Sequence, residues 1–181
     1  MIPARLMSNT YLLTSEPRMG KTTTIKQVID RVGLEHCGGF YTEEMRVQGR
    51  RVGFRLVTLD GQSGIFAHEA TTSPLRVGRY GINLDCLESI GIAAIERALA
   101  SKRIIVIDEI GPMELYSEQF QQIIVSAIKS PHLVLGTIAL KSLPWLDAKN
   151  LRERVNLYIL AVNNRDTLIE KLAYLLQYHT N

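Results

Sequence analysis

Residues Leu12–Thr24 read LLTSEPRMGKTTT, and the parsing of the whole chain depends on this stretch. Leu12–Thr14 close a short apolar run, and Ser15–Thr22 carry the spacing S-x-x-x-x-G-K-T. Apolar residues then recur at helical spacing at Ile25, Val28, Ile29 and Val32. A strand, a tight loop ending in Gly-Lys-Thr and then a helix is the layout of a P-loop. Successive backbone N–H groups turn inward in such a loop, and the helix N-terminus adds about half a positive charge. Lys21 is expected at the β- and γ-phosphates of a nucleotide, and the Thr22 hydroxyl on Mg²⁺. The candidate nucleotide-binding residues are therefore Ser15, Glu16, Pro17, Arg18, Met19, Gly20, Lys21, Thr22 and Thr23. Ser15 stands where the full pattern G-x-x-x-x-G-K-[ST] has its first glycine, a position that favours close backbone approach. Until a second motif appears, an ordinary helix start with an exposed lysine stands as the competing, lesser reading.

A second motif lies at Arg103–Gly111, RIIVIDEIG. Ile104–Ile107 form a continuous apolar run, as expected of a strand buried on both faces of a parallel sheet. Such a strand carries Asp108 and Glu109 to the carboxyl edge of the sheet, where open α/β sheets bind ligands. This is the form of a Walker B element. Asp108 there can hold Mg²⁺ through water, and Glu109 can polarise the attacking water.

The remainder of the chain alternates strand and helix signals, with one interruption. Gly39–Val47, Arg50–Leu59 and Gly64–His68 are rich in β-formers, and Gln48-Gly49 and Asp60-Gly61 are turn signals between them. They predict an antiparallel meander. Ser73–Asn83 reads as loop, and Asp85 with Glu88 as the start of a helix through Ala98. Ser117 reads as the cap of a helix burying Phe120, Ile123, Ile124, Ala127 and Ile128. Leu133–Leu140 reads as a strand, Lys141–Leu146 as a loop, and a short helix is expected near Ala148–Val155. A strand at Leu157–Val162 and a helix at Asp166–Tyr178 complete the pattern. The expected fold is α/β: a mostly parallel sheet flanked by helices with an antiparallel insertion, in one domain over residues 1–181 with residues 1–9 as a flexible tail.

Composition excludes several classes. The 181 residues are 46% hydrophobic and 22% charged, as in soluble globular proteins, and the formal charge is +3 without a dense basic tract. Nucleic acid is not indicated. Cys37 and Cys86 belong to no C-x-x-C pattern, and His36, His68, His132 and His179 are scattered, so a zinc site is not expected. No run reaches the length of a membrane span, and a cytoplasmic location follows as the expectation.

GGFYTEEMR (Gly38–Arg46), RRVGF (Arg50–Phe54) and IDEIGPMEL (Ile107–Leu115) resemble the signatures of the cancer-related nucleoside-triphosphatase family, also called the THEP family. The resemblance runs from Tyr11 to about Leu168 and includes NNRD at Asn163–Asp166. It implies a RecA-like P-loop fold and slow, Mg²⁺-dependent hydrolysis of ATP, GTP and other nucleoside triphosphates. Ser15 and Arg18 stand where the family usually has glycine, and Pro112 where a lysine is common. Arg18 is also similar to the P-loop arginine of thymidylate kinases, which contacts the transferred phosphoryl group.

Lys21, Glu109 and Arg18 are thus the catalytic candidates, and Thr22 and Asp108 those for the metal. Asn164 and Arg165 are candidates for contact with the base, with helix capping as the competing role for Asn164. Arg46 and Arg51 read as partners of nearby acids rather than of phosphate. A nucleotide or nucleoside kinase, or a nucleotide-controlled binding module for protein or RNA, remains as an alternative function.

Overall fold

The computed structural model describes residues 8–178. In order, the chain forms β1 (Thr10–Thr14), α1 (Lys21–Val32), β2 (Cys37–Val47), β3 (Arg50–Thr58), β4 (Ser63–His68), β5 (Arg76–Val77), β6 (Tyr80–Ile82), α2 (Leu84–Cys86), α3 (Ala93–Ser101), β7 (Ile104–Ile110), α4 (Glu118–Lys129), β8 (Leu133–Ile138), α5 (Leu143–Ala148), β9 (Val155–Ile159) and α6 (Arg165–Tyr178). A π-helical stretch, Leu87–Ile92, joins α2 to α3. Residues 1–7, most of the expected tail, lie outside the described residues. Asn9 is already tied in place, its side chain donating to the Pro131 carbonyl at 3.0 Å. No described helix is long and apolar enough to cross a membrane.

The described strands form one mixed sheet in the order β5-β6-β4-β3-β2-β7-β8-β1-β9. The ladders from β2 through β7, β8 and β1 to β9 are parallel. Those from β2 through β3, β4 and β6 to β5 are antiparallel. The sheet is therefore evenly mixed rather than mostly parallel. The meander does not sit apart as an insertion; β2 belongs to both halves and makes the antiparallel strands a lateral extension of the same sheet.

The buried runs divide by the two-residue period of a strand. Leu12, Ile105, Ile107 and Val134 face α3, α4 and α5, in one core with Phe40, Ile95, Phe120, Ile124 and Leu146. Tyr11, Leu13, Ile104, Val106, Leu133 and Leu135 face α1 and α6, where Ile25, Val28, Ile29, Leu168, Leu172 and Leu176 complete a second core. Each such aliphatic side chain, fully buried, contributes about 1.5–3 kcal/mol. This two-sided burial is why β7 and β8 read as continuous apolar runs. Gly39 makes the β2–β7 contact possible: its φ is +112°, and a Cβ there would lie 2.1 Å from the Val106 carbonyl oxygen. Only glycine fits.

Three local expectations are corrected. The 73–83 segment is not all loop but contains the β5–β6 hairpin, whose strands of two and three residues are too short to show alternation. The 141–146 segment is largely helical, because Pro144 falls in the first turn of α5, where a missing N–H costs nothing. Between α5 and β9 stands only a 3-10 turn, Arg152–Arg154, and β9 begins two residues early, at Val155, which pairs with Thr10. Asn83 rather than Asp85 caps α2, accepting from the Cys86 N–H. Ser117 caps α4 as expected, accepting from Phe120 N–H.

Candidate functional site

The loop 15–20 leaves β1 at the carboxyl end of the parallel strands and enters α1 directly. Gly20 takes the left-handed conformation (φ 84°) at the N-cap of α1. No side chain caps that end and no acid lies in its first turn. Helix-terminal N–H groups left uncapped in this way, beside a dipole of the right sign, suit an anion. Ser15 is buried, and its backbone is not among the residues with positive φ, so serine stands there without strain. Its hydroxyl donates to the Glu16 carbonyl at 2.9 Å. Glu16, Pro17 and Arg18 are exposed at the loop apex, and Thr23 is exposed on α1. Arg18 has φ 66°, a conformation uncommon for any residue but glycine. That explains why a glycine would fit here.

β7 delivers the acids to the same place. Its ladder with β8 is regular through Ile107–Gly136 and resumes at Ile110–Ile138, so Asp108 and Glu109 fall in an irregular step. Their shared peptide bond is cis. Asp108 is buried and accepts hydrogen bonds from Thr22 Oγ1 at 2.6 Å and from the Thr137 hydroxyl of β8. The Thr42 backbone N–H of β2 adds a third. Burial raises the Asp108 carboxyl above its ordinary range, and these hydrogen bonds and the Lys21 ammonium oppose that rise. Lys21 Nζ lies 3.5 Å from Glu109 Oε2. Burial likewise raises Glu109, against the pull of Lys21.

Lys21, Thr22, Asp108 and Glu109 thus converge as the sequence predicts. The oxygen donors present suit a hard cation. Thr22 donates a hydrogen bond to Asp108, which keeps the hydroxyl oxygen's lone pairs for a ligand, and a cation of the Mg²⁺ type takes few protein ligands beside phosphate and water. Among the described residues there is no cluster of three or more His, Cys, Asp or Glu side chains that could hold a metal by themselves.

Arg165 opens α6 and reaches back over the loop, its Nη2 donating to the Met19 carbonyl at 2.8 Å. Its Nε is buried without a hydrogen-bond partner. Asn164 is occupied differently: its amide accepts from Ala161 N–H at 2.8 Å and donates to the Ile159 carbonyl at 2.9 Å. The side chain closes the β9–α6 turn. Arg46 and Arg51 pair with Glu44, at 2.5 and 2.9 Å, and Lys26 of α1 pairs with Glu43 at 2.6 Å. These bonds moor the meander to itself and to α1. The Cys37 thiol, pushed up to about 12 by burial, stays protonated.

One residue, Thr137, was missed by sequence reasoning. Thr137 holds one oxygen of Asp108, and the only signal was a polar residue in the apolar run LVLGTI. Glu114 is buried in a 3-10 turn beside Glu109, where burial raises its carboxyl well above the ordinary value.

A family described as NTPase matches residues 10–173. The nucleoside-triphosphatase THEP1 of Thermotoga petrophila is 42% identical over 93% of each chain. The mouse cancer-related nucleoside-triphosphatase homolog is 35% identical over 94% of this chain and 98% of its own. The crystal structure of THEP1 from Aquifex aeolicus superposes with a TM-score of 0.83 at 34% identity, covering 93% of this chain and 99% of that one. The sheet, the loop with its uncapped helix and the paired acids therefore stand in a known setting: the chain belongs to this NTPase family.

Proposed function

We propose that the protein is a P-loop nucleoside-triphosphatase of RecA-like fold, one domain, that uses Mg²⁺ to hydrolyse nucleoside triphosphates to diphosphate and phosphate. The observation that carries this reading is the meeting of Lys21, Thr22, Asp108 and Glu109 at the carboxyl ends of β1 and β7. Loop N–H groups between residues 15 and 20 and the start of α1 hold the β- and γ-phosphates. Lys21, mostly buried at 13% side-chain exposure, meets the developing charge on the γ-phosphoryl oxygens without a competing water shell. Glu109 accepts the proton of the attacking water as the β–γ bridge oxygen leaves. Arg18 at the loop apex supplies a mobile positive charge over the γ-phosphoryl group. Thr22 directly, and Asp108 through water, would hold Mg²⁺, which when bound neutralises phosphate charge. Arg165, fixed against the loop, offers the flat face of a guanidinium to a nucleotide base.

The test compares phosphate release from ATP and GTP by the parent chain and by Lys21→Ala and Glu109→Gln. Glu109→Gln should bind triphosphate normally yet turn over about 10²-fold slower. Lys21→Ala should lose tight triphosphate binding. If a folded Glu109→Gln variant turns over like the parent, or phosphate appears only when an acceptor is added, hydrolysis at this site is wrong.

A further inference from the structure

A general base works best when a third group holds its orientation, and Glu109 has such a neighbour that nothing above employs. Gly111 lies two residues beyond Glu109 and three before Glu114. A Cβ built on Gly111 would fall 2.7 Å from Glu114 Oε2 and 3.0 Å from Glu109 Oε1. Both carboxyl groups therefore crowd the place where a Gly111 side chain would begin, closer than a methyl group allows. Glu109 uses its oxygens differently: Oε2 faces Lys21 at 3.5 Å, and Oε1 faces Gly111.

Glu114 is only 5% exposed. Backbone N–H groups of Gly111 and Glu114 reach its carboxyl, and the charges that bear on it are those of Glu109 and Asp108. Among the described residues it has no cationic partner. An ionised carboxylate so placed would face two other acids without compensation, whereas a carboxylic acid can donate toward one of them. The adjacent turn is already closed by Leu115 N–H on the Gly111 carbonyl and Ser117 N–H on the Glu114 carbonyl.

We propose that Glu114 is a positioning residue for hydrolysis: as a neutral carboxylic acid beside Gly111 it donates to Glu109 Oε1, and so leaves Oε2, on the Lys21 side, for the attacking water. The arrangement is a base–orienter pair built from two carboxyl groups. Its proton stays on Glu114 throughout, while the water proton goes to Glu109 Oε2. Gly111 is part of the device, because any side chain there would separate the two groups.

The inference rests on Glu109 being the base, and the experiment separates the two claims. Turnover and triphosphate affinity are measured for Glu109→Gln, Glu114→Gln, Glu114→Leu and Gly111→Ala, with circular dichroism as a check of folding. Glu114→Leu, which cannot donate, should lower kcat about tenfold or more with affinity within a few-fold. Glu114→Gln, which donates through its amide, should restore most of that rate. Gly111→Ala should resemble Glu114→Leu. A Glu114→Gln variant as slow as Glu114→Leu would overturn the proposal, since a carboxylate would then be required. So would a Glu114→Leu variant, or a folded Gly111→Ala variant, that turns over like the parent while Glu109→Gln is slow. If Glu109→Gln itself retains full turnover, the base assignment falls first.

Discussion

Arg18 shows how one residue can carry strain and charge at once. Its φ of 66° costs a non-glycine residue on the order of 1 kcal/mol, yet its side chain stands exposed at the apex with no hydrogen bond or ion pair among the described residues. Arg18→Gly removes both strain and charge, and Arg18→Ala removes only the charge. If the charge is what matters, both variants should lose at least tenfold in kcat with nucleotide affinity within a few-fold. Steady-state phosphate release alongside nucleotide titration checks this, and a loss confined to one variant would point to loop shape instead. Glu114 supports a different measurement. Burial, reinforced by Glu109, lifts its carboxyl well above the ordinary value of about 4.5. The folded chain therefore holds this proton more tightly than the unfolded chain. The associated stability is fully present below about pH 4.5 and is lost as pH rises through the folded value. Glu114→Gln does not titrate, so its melting temperature should gain steadily on the parent's as the pH rises above about 4.5. A difference that stays constant with pH would contradict the buried acid.

Among the elements, α6 has a role that its position late in the chain conceals. Its first residue, Arg165, is bonded to the Met19 carbonyl and packs within 3.1 Å of where a Gly20 side chain would begin. Arg165→Ala should free the loop and weaken nucleotide binding roughly tenfold, in line with a hydrogen bond from a charged donor. The turnover number should change little, and isothermal titration against an unhydrolysed triphosphate analogue is the measurement. Lys26, paired with Glu43 and lying 4.0 Å over the Tyr41 ring, ties the other end of the same region to the meander. The sequence made some of this legible and some not, for definable reasons. Lys21, Thr22, Asp108 and Glu109 were readable because each motif is contiguous and each follows an apolar strand. β2, β3 and β4 were readable from Gln48-Gly49 and Asp60-Gly61. Thr137 and the Thr42 N–H were not, because strand register brings them to Asp108 and no local pattern encodes it. The crowding at Gly111 could not be read either, being defined by two side chains that meet only in the folded turn. β5 and β6 escaped through brevity, and α5 because a proline that opens a helix looks like one that breaks a loop.

At the scale of the whole molecule, the sheet separates two cores, and the loop 15–20 lies at the edge where both are held. A ligand bound there should stabilise the entire fold. At a triphosphate concentration about 100 times Kd, linkage adds about 2.7 kcal/mol. For a chain of this size that corresponds to a rise of about 5–10 °C in Tm. Thermal melts with ATP and Mg²⁺ should show the rise, and Lys21→Ala should abolish it. An equal rise in the variant would place binding elsewhere. The strand order has a further result that concerns synthesis. β1 comes first in the chain, yet its neighbours are β8 and β9: Thr10 pairs with Val134 on one side and Val155 on the other. A ribosome making this chain releases the loop long before either neighbour exists. Until β8 emerges β1 has no strand to pair with, and until residue 165 is made Arg165 is not there to hold the Met19 carbonyl. The nascent chain is thus blind to nucleotide for most of its translation, and the capacity to bind one arrives almost at the end, as a mark that the chain has been completed.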